Sequence, residues 1–147
     1  MDIFDGIDDI PWKKYGMEDA PYYIRDLISE DEKKRDIAYD QLLDNYVYEN
    51  FAFSYHLVWY MIKIMQSDNL SADIALYLGF FHNLYRTAEP KRKFSKVDRR
   101  VAQISSELVD LIASNIGGYN ELANHVDEEI CEAARLLVVT IEESHQE

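Results

Sequence analysis

One cysteine, Cys131, in 147 residues leaves no intrachain disulfide, which excludes the small stapled scaffolds and points to a reducing compartment. Long hydrophobic runs are missing as well. The most apolar stretch, Leu57 to Met65, is interrupted by Lys63 and falls short of the roughly 20 residues that span a bilayer. The opening MDIFDGIDD is acidic where a secretory signal needs a basic patch and an apolar run, so no signal peptide is expected. No segment alternates apolar and polar residues as an exposed strand does, and no tract is of low complexity. A cytoplasmic protein is the expectation.

Bases are few, 15 against 28 acids, for a net charge of −13. Their distribution says more than the sum. Residues 1–50 carry 14 acids and 6 bases, 51–86 carry two of each, 87–100 carry 2 acids and 6 bases, and 101–147 carry 10 acids and the single base Arg135. A neutral, apolar centre between acidic flanks reads as a core whose outer elements face water. A strongly negative surface disfavours nucleic acid and anionic lipid and favours a basic partner, although acidity also serves plain solubility.

The length fits one domain, residues 1–147, able to bury about two-thirds of its unfolded surface. Its periodicity is helical nearly throughout. In EDAPYYIRDLIS, Asp19 is a candidate N-cap with Pro21 in the first turn, and Tyr23, Ile24, Leu27 and Ile28 share a face. Ser29 or Asp31 can cap a second helix carrying Ile37, Ala38, Leu42, Leu43 and Val47. A third helix, Phe51 to Gln66, is apolar on two sides, which requires neighbours on two sides. Ser71 can cap a fourth through about Ala88, with Ile74, Tyr77, Leu78, Phe81, Leu84 and Tyr85 on one stripe and Leu76 and Phe80 beyond it, closed by Pro90. Ser95 can cap a fifth bearing Val97, Val101, Ile104, Leu108, Leu111 and Ile112, stopped by Gly117 and Gly118. The last spans Asp127 to Glu143, with Ile130, Ala134, Leu137, Val138 and Ile141 inside. The fold class is all-α: a short stack of antiparallel helical hairpins, five to six helices, paired over about 19–88 with C-terminal helices over about 95–145.

The segment DIPWKKYG, followed by EDAPYYIRDLISEDEKKRDIAYDQLLDNYVYEN and an aromatic-rich helix, resembles bacterial HEAT-repeat immunity proteins of secreted and contact-dependent toxin systems. The likeness covers about residues 9 to 66. It rests on a Trp and a Tyr-Gly before a short first helix, a S-x-D-x-x-x-R turn at Ser29, Asp31 and Arg35, and a Tyr-rich junction. The chain departs from the pattern in lacking a glycine after Leu43 and a proline in the next helix, and nothing after Pro90 takes part. The resemblance implies neutralisation of a toxin by stoichiometric binding.

No catalytic constellation accompanies it. His56, His82, His125 and His145 lie in four separate segments without metal-ligand spacing, and His56 and His82 fall on apolar helices that suit core histidines. Cys131 has no base near it in the sequence, so it reads as structural. Glu142 and His145 give a Glu-x-x-His spacing once, where a di-metal bundle needs it twice. The cluster KRKFSKVDRR has six bases in ten residues, a patch that serves to neutralise its acidic neighbours. No enzyme, cofactor or metal is expected.

Eleven tyrosines remain. Tyr77 and Tyr85 have helical core spacing, but Tyr46 and Tyr48 flank a helix end beside Asp44 and Glu49 and read as an exposed docking junction. Asp36, Asp40 and Asp44 recur every four residues as one acidic row. With Asp127 and Glu128 at the start of the last helix, these are the candidate partner-binding residues. The expected partner is a cognate basic toxin domain, of nuclease type, whose phosphate-binding site the acids would occupy. A scaffold or adaptor for an unrelated protein is the alternative reading, and a homodimer through an uncovered stripe is open to either.

Overall fold

The computed structural model describes residues 2–67, 72–93 and 99–145. The caps expected at Ser71 and Ser95, and the core position Val97, lie outside these residues. Among those described, every regular element is helical: α1 (Ala20–Asp26), α2 (Glu32–Leu42), α3 (Phe51–Gln66), α4 (Ile74–Ala88), α5 (Arg99–Ser114), α6 (Ile116–Leu122) and α7 (Glu128–Ser144), with 3₁₀ turns at Ile7–Asp9, Trp12–Tyr15, Asn45–Tyr48 and Pro90–Lys93. Sequence-adjacent helices pair as short hairpins do, α1 with α2, α4 with α5 and α6 with α7. The chain falls into two compact units, Met1–Ala72 and Asp73–Glu147. The helix grouped from sequence with the first pairs, α4, thus clusters with the C-terminal helices.

In the first unit the motif residues are fasteners. Trp12 is buried, donates from Nε1 to the Ile7 carbonyl at 2.7 Å, and meets Phe53 and His56 of α3 edge-on at 6.0 and 5.7 Å. Tyr15 stacks on His56 at 5.6 Å. Gly16 ends this turn in the left-handed region, φ 77°, where a side chain would be strained. Asn50 then joins the turn to α3: its Oδ1 accepts from Phe53 N at 3.2 Å as the N-cap, while its Nδ2 donates to the Tyr15 carbonyl at 3.0 Å. Farther along α3, the Tyr60 hydroxyl donates to the Asp5 carbonyl at 3.2 Å. The two-sided apolarity of α3 is met here, since Phe53, Leu57, Val58, Met61 and Ile64 are all 0–1% exposed.

The S-x-D-x-x-x-R turn has an equally local cause. Asp31 is the N-cap of α2, accepting from Lys33 N at 3.0 Å, and Ser29 Oγ accepts from Asp31 N at 3.2 Å. Arg35 reaches back to the Ser29 carbonyl at 2.8 Å. Capping of this kind decides where a helix of modest propensity begins.

In the second unit α7 packs on both α4 and α6, and α4 also on α5. Tyr77 and Tyr85 are buried as their spacing predicts, and the Tyr85 hydroxyl meets Ser144 Oγ of α7. His82, 9% exposed, places Nε2 3.0 Å from Thr140 Oγ1. Because Thr140 Oγ1 donates to the Leu136 carbonyl at 2.8 Å, it accepts from His82, which fixes the Nε2–H tautomer. Burial, then Arg86, pulls the His82 pKa below its ordinary value, against a hydrogen bond to Asn83.

Three core expectations need correction. Ile37 is 55% and Val101 40% exposed. The stripe of α2 is Ala38, Tyr39 and Leu42, and that of α5 is Ala102, Ser105, Leu108, Val109 and Ile112. In α5 the buried Ser105 is admitted to the core because its hydroxyl donates to the Val101 carbonyl at 2.6 Å, a position that apolar counting skips. Gly117 and Gly118 do not terminate a helix in left-handed conformation but lie inside α6. A Cβ on Gly118 would fall 2.8 Å from Asn115 Oδ1, the end of a side chain that would have to turn aside. Leu76, expected apolar-covered, is 39% exposed.

Trp12 carries the attachment of residues 2–18 to α3. Trp12→Ala is expected to cost about 3–5 kcal/mol, the range for deleting a buried aromatic, read as a lowered urea midpoint with the slope unchanged. A loss under about 1 kcal/mol would show that the N-terminal segment is not part of the folded core.

Candidate partner interface

The predicted site residues occupy two acidic helix faces and one junction. On α2, Asp36 and Asp40 are exposed one turn apart. Asp44 is also exposed, but the helix ends at Leu42 and the backbone turns at Leu43, φ −108°. The expected row of three is therefore a helical pair, with Asp44 in the following turn, where its carbonyl accepts from Val47 N at 3.2 Å. Like charges at this spacing cost a few tenths of a kcal/mol. Exposed Ile37 stands between Asp36 and Asp40 in the chain.

The tyrosine junction is folded inward more than expected. Asn45–Tyr48 forms a 3₁₀ turn, and Val47 is fully buried, its carbonyl accepting from the Ser54 hydroxyl of α3. Ser54 also donates to the Asn50 carbonyl at 3.0 Å. Tyr48 is half-buried and Glu49 exposed, while the side chain of Tyr46 lies outside the described residues. The junction is thus anchored by Val47, with the acids Asp44 and Glu49 left outside.

At the start of α7, Asp127 has a structural duty. Its Oδ1 accepts from Glu129 N at 2.9 Å and Ile130 N at 3.3 Å, and its own N–H donates to His125 Nδ1 at 2.9 Å. Glu128 and Glu129 are exposed in the first turn, where the helix dipole favours them. Cys131, half-buried, donates its thiol to the Ala123 carbonyl at 3.0 Å, a structural contact in the same corner.

Two features escaped the sequence reading. Beside α1 lies an open cleft of about 490 Å³ walled by Asp8, Glu18, Asp19 and Asp26, with Pro21 and Tyr22. Arg25, also in its wall, is paired with Asp8 at 2.9 Å. Tyr22 is 64% exposed and edge-on to Tyr23 at 5.4 Å. The signal was present, because the apolar face assigned to this helix began at Tyr23 and left Tyr22 outside. The second feature is on α7, where Leu136 and Val139 are 53% and 47% exposed although the buried stripe, Ala134, Leu137, Val138 and Ile141, is the one expected.

The basic cluster after α4 is partly spent internally: Arg92 stands 3.9 Å from both Glu89 and Asp110. Residues 94–98 of that cluster are outside the described set. Among the described residues no group of three His, Cys, Asp or Glu side chains gathers to hold a metal, and no helix is long and apolar enough to cross a membrane. His56 is packed among Trp12, Tyr15 and Tyr55, where burial pulls its pKa down. Comparison with protein-family models, with curated proteins and with solved structures finds no match.

The capping and docking duties of α7 are separable. Asp127→Ala is expected to destabilise the chain by about 1 kcal/mol through the lost cap, measured by thermal or denaturant unfolding, whereas Glu128→Gln at an exposed site should leave stability within about 0.5 kcal/mol. Equal losses from the two would contradict the hydrogen-bonding assignment.

Proposed function

We propose that this chain is an immunity-type protein that neutralises a cognate basic toxin domain, of nuclease class, by forming a stoichiometric complex with it in the bacterial cytoplasm. The observation that carries the reading is that carboxylates line the exposed face of α7, Glu128, Glu129, Glu132, Glu142 and Glu143 against the single base Arg135, with Asp36 and Asp40 exposed on α2 beside the exposed Lys33 and Lys34, in a chain of net charge −13. Such faces can stand in for the phosphates that a nuclease binds. Their field raises the rate of encounter with a cationic protein by ten- to a thousandfold at low ionic strength, and protection requires that a toxin be caught before it acts. The chemistry of the site is then recognition alone: no bond is made or broken, and the basic protein is blocked by occupancy.

The experiment is co-expression with the product of each gene that adjoins this one, followed by gel filtration of the purified pair. A 1:1 complex and restored growth are expected; restored growth with no complex would end the sequestration account. Within that complex, Asp36→Lys together with Asp40→Lys should slow association roughly tenfold at low salt. The thermal midpoint should hold within a few degrees, because both side chains are exposed and the like-charge spacing is kept with its sign reversed. An unchanged association rate would move the interface off α2.

A further inference from the structure

The outward side of α7 is more than a charged face. Glu132, Leu136, Val139 and Glu143 follow one another at spacings of four, three and four and are all exposed, so they form one line along the helix. Eleven residues at 1.5 Å each make that line about 16 Å long. Its centre is apolar, with Leu136 53% and Val139 47% exposed, and its ends are carboxylates. Exposed Glu128, Glu129 and Glu142 flank it, against Arg135 as the one base of the helix. The inward stripe of the same helix is already satisfied: Ala134, Leu137, Val138 and Ile141 are buried. Packing inside the unit therefore does not account for the outward pair.

We infer that this line is the docking surface for an amphipathic, basic helix of the partner protein, whose apolar row seats on Leu136 and Val139 while flanking lysines or arginines meet Glu132, Glu143 and their neighbours. Charge complementarity selects this occupant. A second copy of this chain would bring α7 carboxylates against α7 carboxylates, and an anionic lipid or nucleic acid would be repelled by the same field. A helix is the fitting shape because its own i, i+3, i+4, i+7 row matches a straight line of this length and periodicity. Charge supplies the encounter and the apolar pair the residence time, since desolvated apolar anchors at the centre of a charged rim carry most of an interface's free energy. The inference rests on the basic-partner reading and adds to it the site and the fold of the recognised segment.

The test uses the intact chain and two synthetic 18-residue peptides of identical Leu and Lys composition, one with leucines in a helical row and one scrambled, compared by fluorescence anisotropy. The patterned peptide is expected to bind at least tenfold tighter than the scrambled one. Leu136→Ser with Val139→Ser should erase that difference while leaving the thermal midpoint within about a degree or two, as these side chains are outside the core. Glu132→Lys with Glu143→Lys should weaken both peptides. Equal binding of the two peptides, with Asp36→Lys and Asp40→Lys reducing it, would overturn the α7 line and leave the basic-partner reading standing. Binding of neither peptide at low salt would overturn both.

Discussion

Everything in this chain is arranged around two helices that cannot be left exposed. Helix α3 buries more than half of its circumference, through Phe51, Phe53, Ser54, Leu57, Val58, Tyr60, Met61, Ile62 and Ile64, and α4 buries Tyr77, Leu78, Phe80, Phe81, Leu84 and Tyr85. A helix that is apolar beyond a single stripe requires cover on more than one side. For α3 part of that cover is the N-terminal segment, held by Trp12, Tyr15, Asn50 and the Tyr60 bond to Asp5. For α4 it is α7, α5 and the Pro90–Lys93 turn. The buried positions of these two helices carry no formal charge, and α7 presents carboxylates on its outer side.

That segregation links core to function. Because α7 buries Leu137, Val138 and Ile141 against its own unit, its remaining surface is free to carry carboxylates and an apolar pair without weakening the fold. The caps have the opposite character. Asp31 and Asp127 are acidic and exposed, yet each has its oxygen committed to backbone N–H groups, so a negative side chain at a helix start is not interchangeable with one on a helix face. Among acids of the same type, hydrogen-bond partners mark out those with a structural duty.

The all-helical class and the ends of α3 were legible in the sequence, because apolar spacing sustained over sixteen residues is a local signal, and so was the cap at Asp31. The burial of Tyr77 and Tyr85 followed from the same spacing. What could not be read depends on long-range packing. Tyr48 looked like part of an exposed junction but is half-buried beside Val47, whose carbonyl accepts from Ser54, and the α6 glycines looked like a stop although both lie inside a helix. The acidic candidates were legible as a composition, but the geometry trimmed the row on α2 at Leu42 and gave Asp127 to the cap. The cleft at Tyr22 and the outward pair Leu136 and Val139 were visible only as residues left over from the apolar stripes. A stripe count asks what is inside and does not ask what remains outside.

The account's central claim is that negative charge on the outer helices captures a positively charged protein. The most direct measurement is the bimolecular association rate constant of the intact chain with the partner of the proposed class, a basic toxin domain, by stopped-flow fluorescence across a series of ionic strengths. The account predicts a rate constant that falls steeply with salt, by ten- to a hundredfold between about 0.01 and 0.5 M, as the screening length contracts from about 30 Å to a few ångströms. A rate constant that is flat across that series would contradict it, since the acidic faces would then have no part in recognition.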